Sequence, residues 1–253
     1  SWHAESYAGL LADRERMPHA LLLQGPRGIG KLAFAETLAN LMLCEAPRGH
    51  EPCGTCQACH WFAQQSHPDF KRIEPAEPDE EEEGGGKKAS WQIAIKDVRS
   101  LGEFLSLAPH QGGWRVVLLH PAEAMNVAAA NALLKTLEEP PARVLLILVS
   151  HQPRRLLPTV LSRCRKLALP QPDWDAALAW LRKQSVDDPE TLLREAGGAP
   201  LVALEYADKE RLERRKAFID ALAEADLLVL SGLGNVFQSR LDEAWGWLTR
   251  WVH

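Results

Sequence analysis

The chain alternates short unbroken apolar runs with longer amphipathic stretches, and this alternation predicts most of its elements. "ALLLQ" at Ala20–Gln24, "WRVVLLHP" and "RVLLILVS" read as strands. An apolar run without a polar break is what a strand covered on both faces requires. "HPDFKRIEP" reads as one more strand, and the last is expected at Arg165–Leu169, after a short helix or turn in "LLPTVLSRC". Helical spacing is expected over residues 8–18 and over Leu32–Leu43, with Leu32, Phe34, Leu38, Leu41 and Met42 apolar. "IAIKDVRSLGEFLSLAP" reads as extended and then helical, and "NVAAANALLKTLEEPP" as a helix stopped by Pro140-Pro141. Strands alternating with helices predict an α/β domain with a parallel sheet. Beyond Pro172 the pattern is helical only, over Trp174–Ala203 with a break at Gly197–Pro200, and again from about Asp208. No internal repeat is visible.

The junction "LLLQGPRGIGKLAF" joins the first strand to a helix through a G-x-x-x-x-G-K loop formed by Gly25, Gly28, Gly30 and Lys31. Backbone N–H groups of such a loop point at phosphates, and the lysine reaches the β/γ oxygens. The next residue of an active loop is Ser or Thr, whose hydroxyl holds Mg²⁺; here it is Leu32. An active ATPase would also end the "RVVLL" strand with an acidic pair, but His120 and Pro121 stand there. Glu123 lies past the strand end and is expected at the surface. Two supports of metal-assisted hydrolysis are therefore absent, while phosphate cradling could survive.

Cys44, Cys53, Cys56 and Cys59 form a C-x8-C-x2-C-x2-C series. In a cytosolic chain this spacing favours a closed structural zinc site over disulfides. His50 and His60 flank it and are left out of the ligand set, and Cys164 is expected in the core. "LSRC", Leu161–Cys164, offers an arginine that could reach a neighbour's phosphate.

Composition changes this picture little. The chain has 253 residues, 46% hydrophobic and 25% charged, with a net charge of −5. This balance argues against strong autonomous DNA binding. Asp79–Glu83 and the glycines and lysines after it, residues 79–88, read as a solvated loop. No apolar run approaches the ~18–20 residues of a membrane span, and there is no signal segment, so a cytoplasmic location without membrane contact is expected. Ser1 in place of Met suggests a trimmed start. Trp245, Trp247 and Trp251 are expected in helix packing.

Together "HALLLQGPRGIGK", the four-cysteine insert, "HPDF", "NALLKTLEEPP" and "LLPTVLSRC" resemble the AAA+ subunits of the bacterial DNA polymerase III clamp loader. The resemblance covers about residues 1–205 well and the remainder loosely. It implies an AAA+ α/β domain over 1–169 with a zinc insert at 44–59, a helical lid over 170–207 and a helical collar over 208–253. The last segment is too short for a whole collar, so an incomplete one is expected. Within the family the chain fits the stator, a subunit of the polymerase holoenzyme without ATPase activity of its own, rather than the motors. Leu32, His120 and Pro121 replace motor residues, Leu201 stands where a lid arginine is expected, and Ser150 holds a sensor position. The resemblance assigns Arg163 as an arginine finger acting in trans, Gly25, Gly28, Gly30 and Lys31 to weak binding of ATP or ADP, and the four cysteines to Zn²⁺. The implied partners are gamma/tau motor subunits and the delta subunit in a hetero-oligomer, and indirectly the sliding clamp and primed DNA. The alternatives are an ATP-hydrolysing motor, with Glu123 the only nearby acid, and a zinc-dependent nucleic-acid module. For the latter, the basic residues around the cysteines are too few.

Overall fold

The computed structural model describes residues 2–12, 17–75, 91–110, 113–208 and 213. The acidic loop 79–88, the three tryptophans from Trp245 on and the collar segment all lie outside the described residues, apart from Asp208 and residue 213. The chain divides into two compact units, Ser1–Asp173 and Trp174–His253.

The first unit opens with α1 (Ala4–Leu11), followed by β1 (Ala20–Gln24), α2 (Lys31–Leu43), α3 (Gln57–Ala63) and β2 (Phe70–Ile73). Then come α4 (Ile95–Ser106), β3 (Arg115–Leu119), α5 (Val127–Glu138), β4 (Val144–Ser150), α6 (Pro158–Leu161) and β5 (Arg165–Ala168). Among the described residues the strands form one parallel sheet of order β2-β3-β4-β1-β5.

The apolar runs follow from this order. β1, β3 and β4 are interior strands, and every residue of β3 and β4 is buried. Ala20, Leu22, Val117, Leu119, Leu146 and Leu148 face a core shared with α4, α5, Val160 and Cys164. Successive strand residues point to opposite faces, so Leu21, Leu23, Val116, Leu118 and Ile147 fill the other face, where α2 packs on β1, β3 and β4. β5 is an edge strand with Arg165 and Lys166 exposed, charges that discourage pairing with another chain.

One expectation is corrected and two are sharpened. The first helix is Ala4–Leu11 rather than 8–18. The "IAIKDV" segment makes only an isolated bridge, Ile93 with Met125, before α4 begins at Ile95. There the Asp97 carboxylate accepts from the Ala94 N–H at 3.0 Å and so caps the helix. The helical stretch 174–203 breaks before Pro200 as expected, and once more before Pro189. It is α7 (Trp174–Lys183), α8 (Pro189–Glu195) and α9 (Pro200–Tyr206), packed around Leu178, Leu181, Leu193, Ala203 and Tyr206.

A buried ion pair ties β2 to β3. Asp69 and Arg115 are each 6% exposed at the side chain and lie 3.3 Å apart. The Asp69 carboxylate also accepts from the His110 N–H at 3.0 Å, and Arg115 donates to the Ala108 carbonyl at 2.7 Å. Removing one partner leaves a buried charge unpaired. Asp69→Ala is therefore expected to destabilise the unit by about 3–5 kcal/mol, read as a lowered denaturant midpoint; a midpoint within error of the parent would refute it.

Candidate functional site

The C-terminal ends of β1, β3 and β4 gather the loop residues and their neighbours. This is the edge of an open parallel sheet where ligands bind. Gly25 has φ +154°, and a Cβ there would lie 2.8 Å from the Leu169 carbonyl oxygen. Gly30, φ +91°, is the N-cap of α2 and lies under the Trp2 ring. The loop thus needs glycine at both ends, and α2 opens with N–H groups that have no helical partner. Trp2 Nε1 donates to the Ile29 carbonyl at 2.8 Å, and His3 Nε2 lies 2.7 Å from the same oxygen.

Lys31 is buried at 2% exposure. Its ammonium donates to the Gly25 carbonyl at 2.7 Å and also to the Pro26 carbonyl. Burial lowers its pKa to about 8, against the opposing pull of the Glu123 carboxylate. Leu32 follows at the start of the helix, half-buried, and brings no oxygen to the site.

His120 stands at the end of β3, before Pro121. Its Nδ1 lies 3.4 Å from Glu74, and its ring meets His151 edge-on at 5.3 Å between centroids. Burial holds the His120 pKa below the usual histidine range. Burial and the nearby Lys31 charge push His151 down to about 4. His120 and Pro121 bring no carboxylate to the end of β3; the carboxylates nearby are Glu74 and Glu123.

Glu123 corrects the sequence reading. It is half-buried rather than a surface residue. Its Oε1 accepts the backbone N–H groups of His151 at 2.8 Å and Gln152 at 3.1 Å, and its Oε2 is buried without a hydrogen-bond partner. Ser150 ends β4 with no exposed surface and an unpartnered hydroxyl. Sequence reasoning missed Glu74 and His151 as site members, because they arrive from strand ends far apart in the chain.

The cysteines converge as their spacing predicts. The sulfurs of Cys44, Cys53, Cys56 and Cys59 all lie within 4.8 Å of one another. The Cys44–Cys56 and Cys53–Cys59 separations are 3.9 and 4.0 Å. These are far beyond a disulfide bond and near the ~3.8 Å edge of a tetrahedron with metal–sulfur bonds of about 2.3 Å. Backbone N–H groups of Cys53, Thr55, Cys56 and Cys59 point at the sulfurs between 3.2 and 3.5 Å. Such bonds stabilise thiolates: the Thr55 and Cys56 N–H groups hold Cys53 at about 6, whereas burial pushes Cys59 up to about 12. The arrangement could hold a metal ion. Trp61 and Phe62 on α3 dock this insert, Trp61 edge-on to His67 and His110, and Phe62 on Phe70 at 4.7 Å.

Arg163 stands just after α6. Val160 and Cys164 on either side of it are buried in the core and anchor the turn. Burial raises the Cys164 thiol to about 11, consistent with a packing role. The Arg163 side chain is 34% exposed. Its guanidinium is engaged by the Thr159 carbonyl, the Ser162 hydroxyl and the Glu138 carboxylate. Leu201 lies in the first turn of α9 and is half-buried.

A parallel sheet with the loop after β1 and the switch in strand order beside it defines a P-loop α/β protein of the AAA+ kind. Residues 9–173 match the family described as "DNA polymerase III, delta subunit", and the chain belongs to that family, with the delta' subunits of DNA polymerase III as its relatives. The subunit type expected from the sequence is this delta' type. One such subunit, from Pseudomonas aeruginosa, is 44% identical over 84% of this chain and 62% of its own length. The Escherichia coli subunit is 34% identical over 88% of this chain and 65% of its own. A gamma/tau subunit from Mycobacterium bovis is 32% identical over 82% of this chain but 35% of its own length. The chain thus spans under two thirds of the first two relatives. Among the described residues no helix is long and apolar enough to cross a membrane.

Proposed function

We propose that this chain is a non-hydrolysing subunit of the DNA polymerase III clamp loader that supplies Arg163 to the ATP site of a neighbouring gamma/tau-type motor. The observation that carries this reading is a division of labour. The loop keeps its G-x-x-x-x-G-K sequence and leads straight into α2, but Leu32, His120 and Pro121 stand where a motor would hold and use a divalent ion. Meanwhile a turn anchored by Val160 and Cys164 holds Arg163 at the surface. Catalysis at the neighbour would gain a cation against the charge that develops on the transferred phosphoryl group. The same reading places the delta subunit, the sliding clamp and primed DNA as partners of the hetero-oligomer. It divides the chain into an α/β domain over 1–169, a lid over 170–207 and an incomplete collar over 208–253, and it sets the work in the cytoplasm.

Zinc is the metal that four convergent thiols favour, in a closed site with no position open for water. Gly25, Gly28, Gly30 and Lys31 would hold ATP or ADP weakly, without hydrolysis.

Phosphate release by the isolated protein with ATP and Mg²⁺ tests this reading. No turnover is expected. Turnover abolished by Lys31→Ala would overturn the proposal in favour of a motor. The one observation favouring that second reading is the Glu123 carboxylate, which faces the Lys31 charge. Its Oε1 is already committed to two backbone N–H groups.

A further inference from the structure

We propose that Glu138 is a positioning residue for Arg163; the proposal deepens the arginine-finger reading and rests on it. Glu138 is the last residue of α5. A carboxylate there faces the negative end of the helix dipole, where acidic residues are disfavoured. Its placement is accounted for by what it meets: Oε1 accepts from Arg163 Nη2 at 2.6 Å. On the other side of the guanidinium, Arg163 Nη1 donates to the Thr159 carbonyl at 2.9 Å and lies 3.4 Å from the Ser162 hydroxyl. The two terminal nitrogens are thus gripped from separate elements, α5 and the end of α6. Two fixed points set the plane of the guanidinium as well as its position.

This grip has little to do with holding the fold together. The side chains of Arg163 and Glu138 are 34% and 50% exposed, and exposed pairs contribute little to stability. What the pair supplies is order in a long side chain before a partner arrives. A finger that is already oriented loses less freedom when it meets a phosphate. Among the described residues, Arg163 Nε has no acceptor, and Nη2 has only one. Donors therefore remain for phosphate oxygens while the carboxylate holds the other part of the fork. Glu139, the next residue, is an exposed acid that makes no hydrogen bond or ion pair with Arg163 among the described residues, and so provides an internal control for charge alone.

The test is steady-state ATP hydrolysis by the full-length protein reconstituted with its own gamma/tau and delta subunits and primed DNA. Glu138→Ala is expected to lower turnover at the one site that Arg163 serves by roughly tenfold, read in the complex as loss of most of that site's share, with KM for ATP unchanged, as a misplaced catalytic group does. Glu138→Gln, whose amide oxygen still accepts, should recover part of that loss, and Glu139→Gln should match the parent. Arg163→Ala with Glu138→Ala should be no slower than Arg163→Ala alone, because the two act as one unit. If Arg163→Ala slows the complex but Glu138→Ala does not, positioning is wrong and the finger stands. If Glu139→Gln lowers kcat as much as Glu138→Gln does, the effect is one of surface charge and the proposal falls. If Arg163→Ala itself runs at the parent rate, the finger reading fails first.

Discussion

Arg163→Ala is expected to slow ATP turnover at the neighbouring motor site by about 10³-fold or more, the lower end of what an arginine in trans contributes. The whole complex should lose the share of turnover that this one site carries, with the remaining motor sites unaffected. The donor itself should stay folded. Arg163 lies between two buried anchors, Val160 at 0% and Cys164 at 8% exposure, and these keep the turn in place without it. Its pair with Glu138 is solvent-exposed on both sides and contributes at most about 1 kcal/mol. A lysine would be a poor substitute, since it offers a point charge where a planar fork is needed. Phosphate release by the reconstituted complex reads the effect, and the melting temperature of the isolated variant checks the fold. A rate equal to the parent's would mean that the cation comes from another subunit.

Metal removal should produce the largest change in stability. Structural zinc contributes apparent binding free energies of about 10–16 kcal/mol in zinc-finger peptides. Here the cost is capped by local unfolding of the insert, because the rest of the unit has its own core. Residues 44–63 should lose amide protection first, and the melting temperature should fall with them. Cys44 and Cys59 are buried at 8% and 3% exposure, so stripping the ion leaves thiols that must either keep their protons or face each other's charge. All four thiols have to release their protons to bind the ion, so mild acid should weaken retention of the metal. Chelation followed by calorimetry and hydrogen exchange checks this; unchanged melting and unchanged exchange at 44–63 would remove any structural role for the metal.

The parts of the fold that were legible share a physical cause. β1, β3 and β4 are buried on both faces, and no polar residue interrupts their runs. The cysteine site was legible because its ligands lie within sixteen residues of sequence and converge through local turns. α1 was placed too late: its buried residues, Leu10 and Leu11, sit at its very end and left the earlier turn without a periodic signal. Glu123 was read as a surface acid for a different reason. Its partners are backbone N–H groups of His151 and Gln152, twenty-eight and twenty-nine residues away. A main-chain donor carries no signature in the side-chain sequence, and only the adjacency of β3 and β4 reveals it. The Glu138–Arg163 contact was hidden in the same way, by a fold-dependent approach of α5 to α6.

The loop at the head of α2 already contains an occupant, its own lysine. Lys31 donates to the Gly25 and Pro26 carbonyls of its own loop. A phosphate that drew on the same ammonium would have to compete with these two internal acceptors. Its apparent affinity would fall in proportion to the fraction of molecules with the ammonium released. A loop whose lysine is taken up by its own carbonyls has its strongest donor matched within the chain.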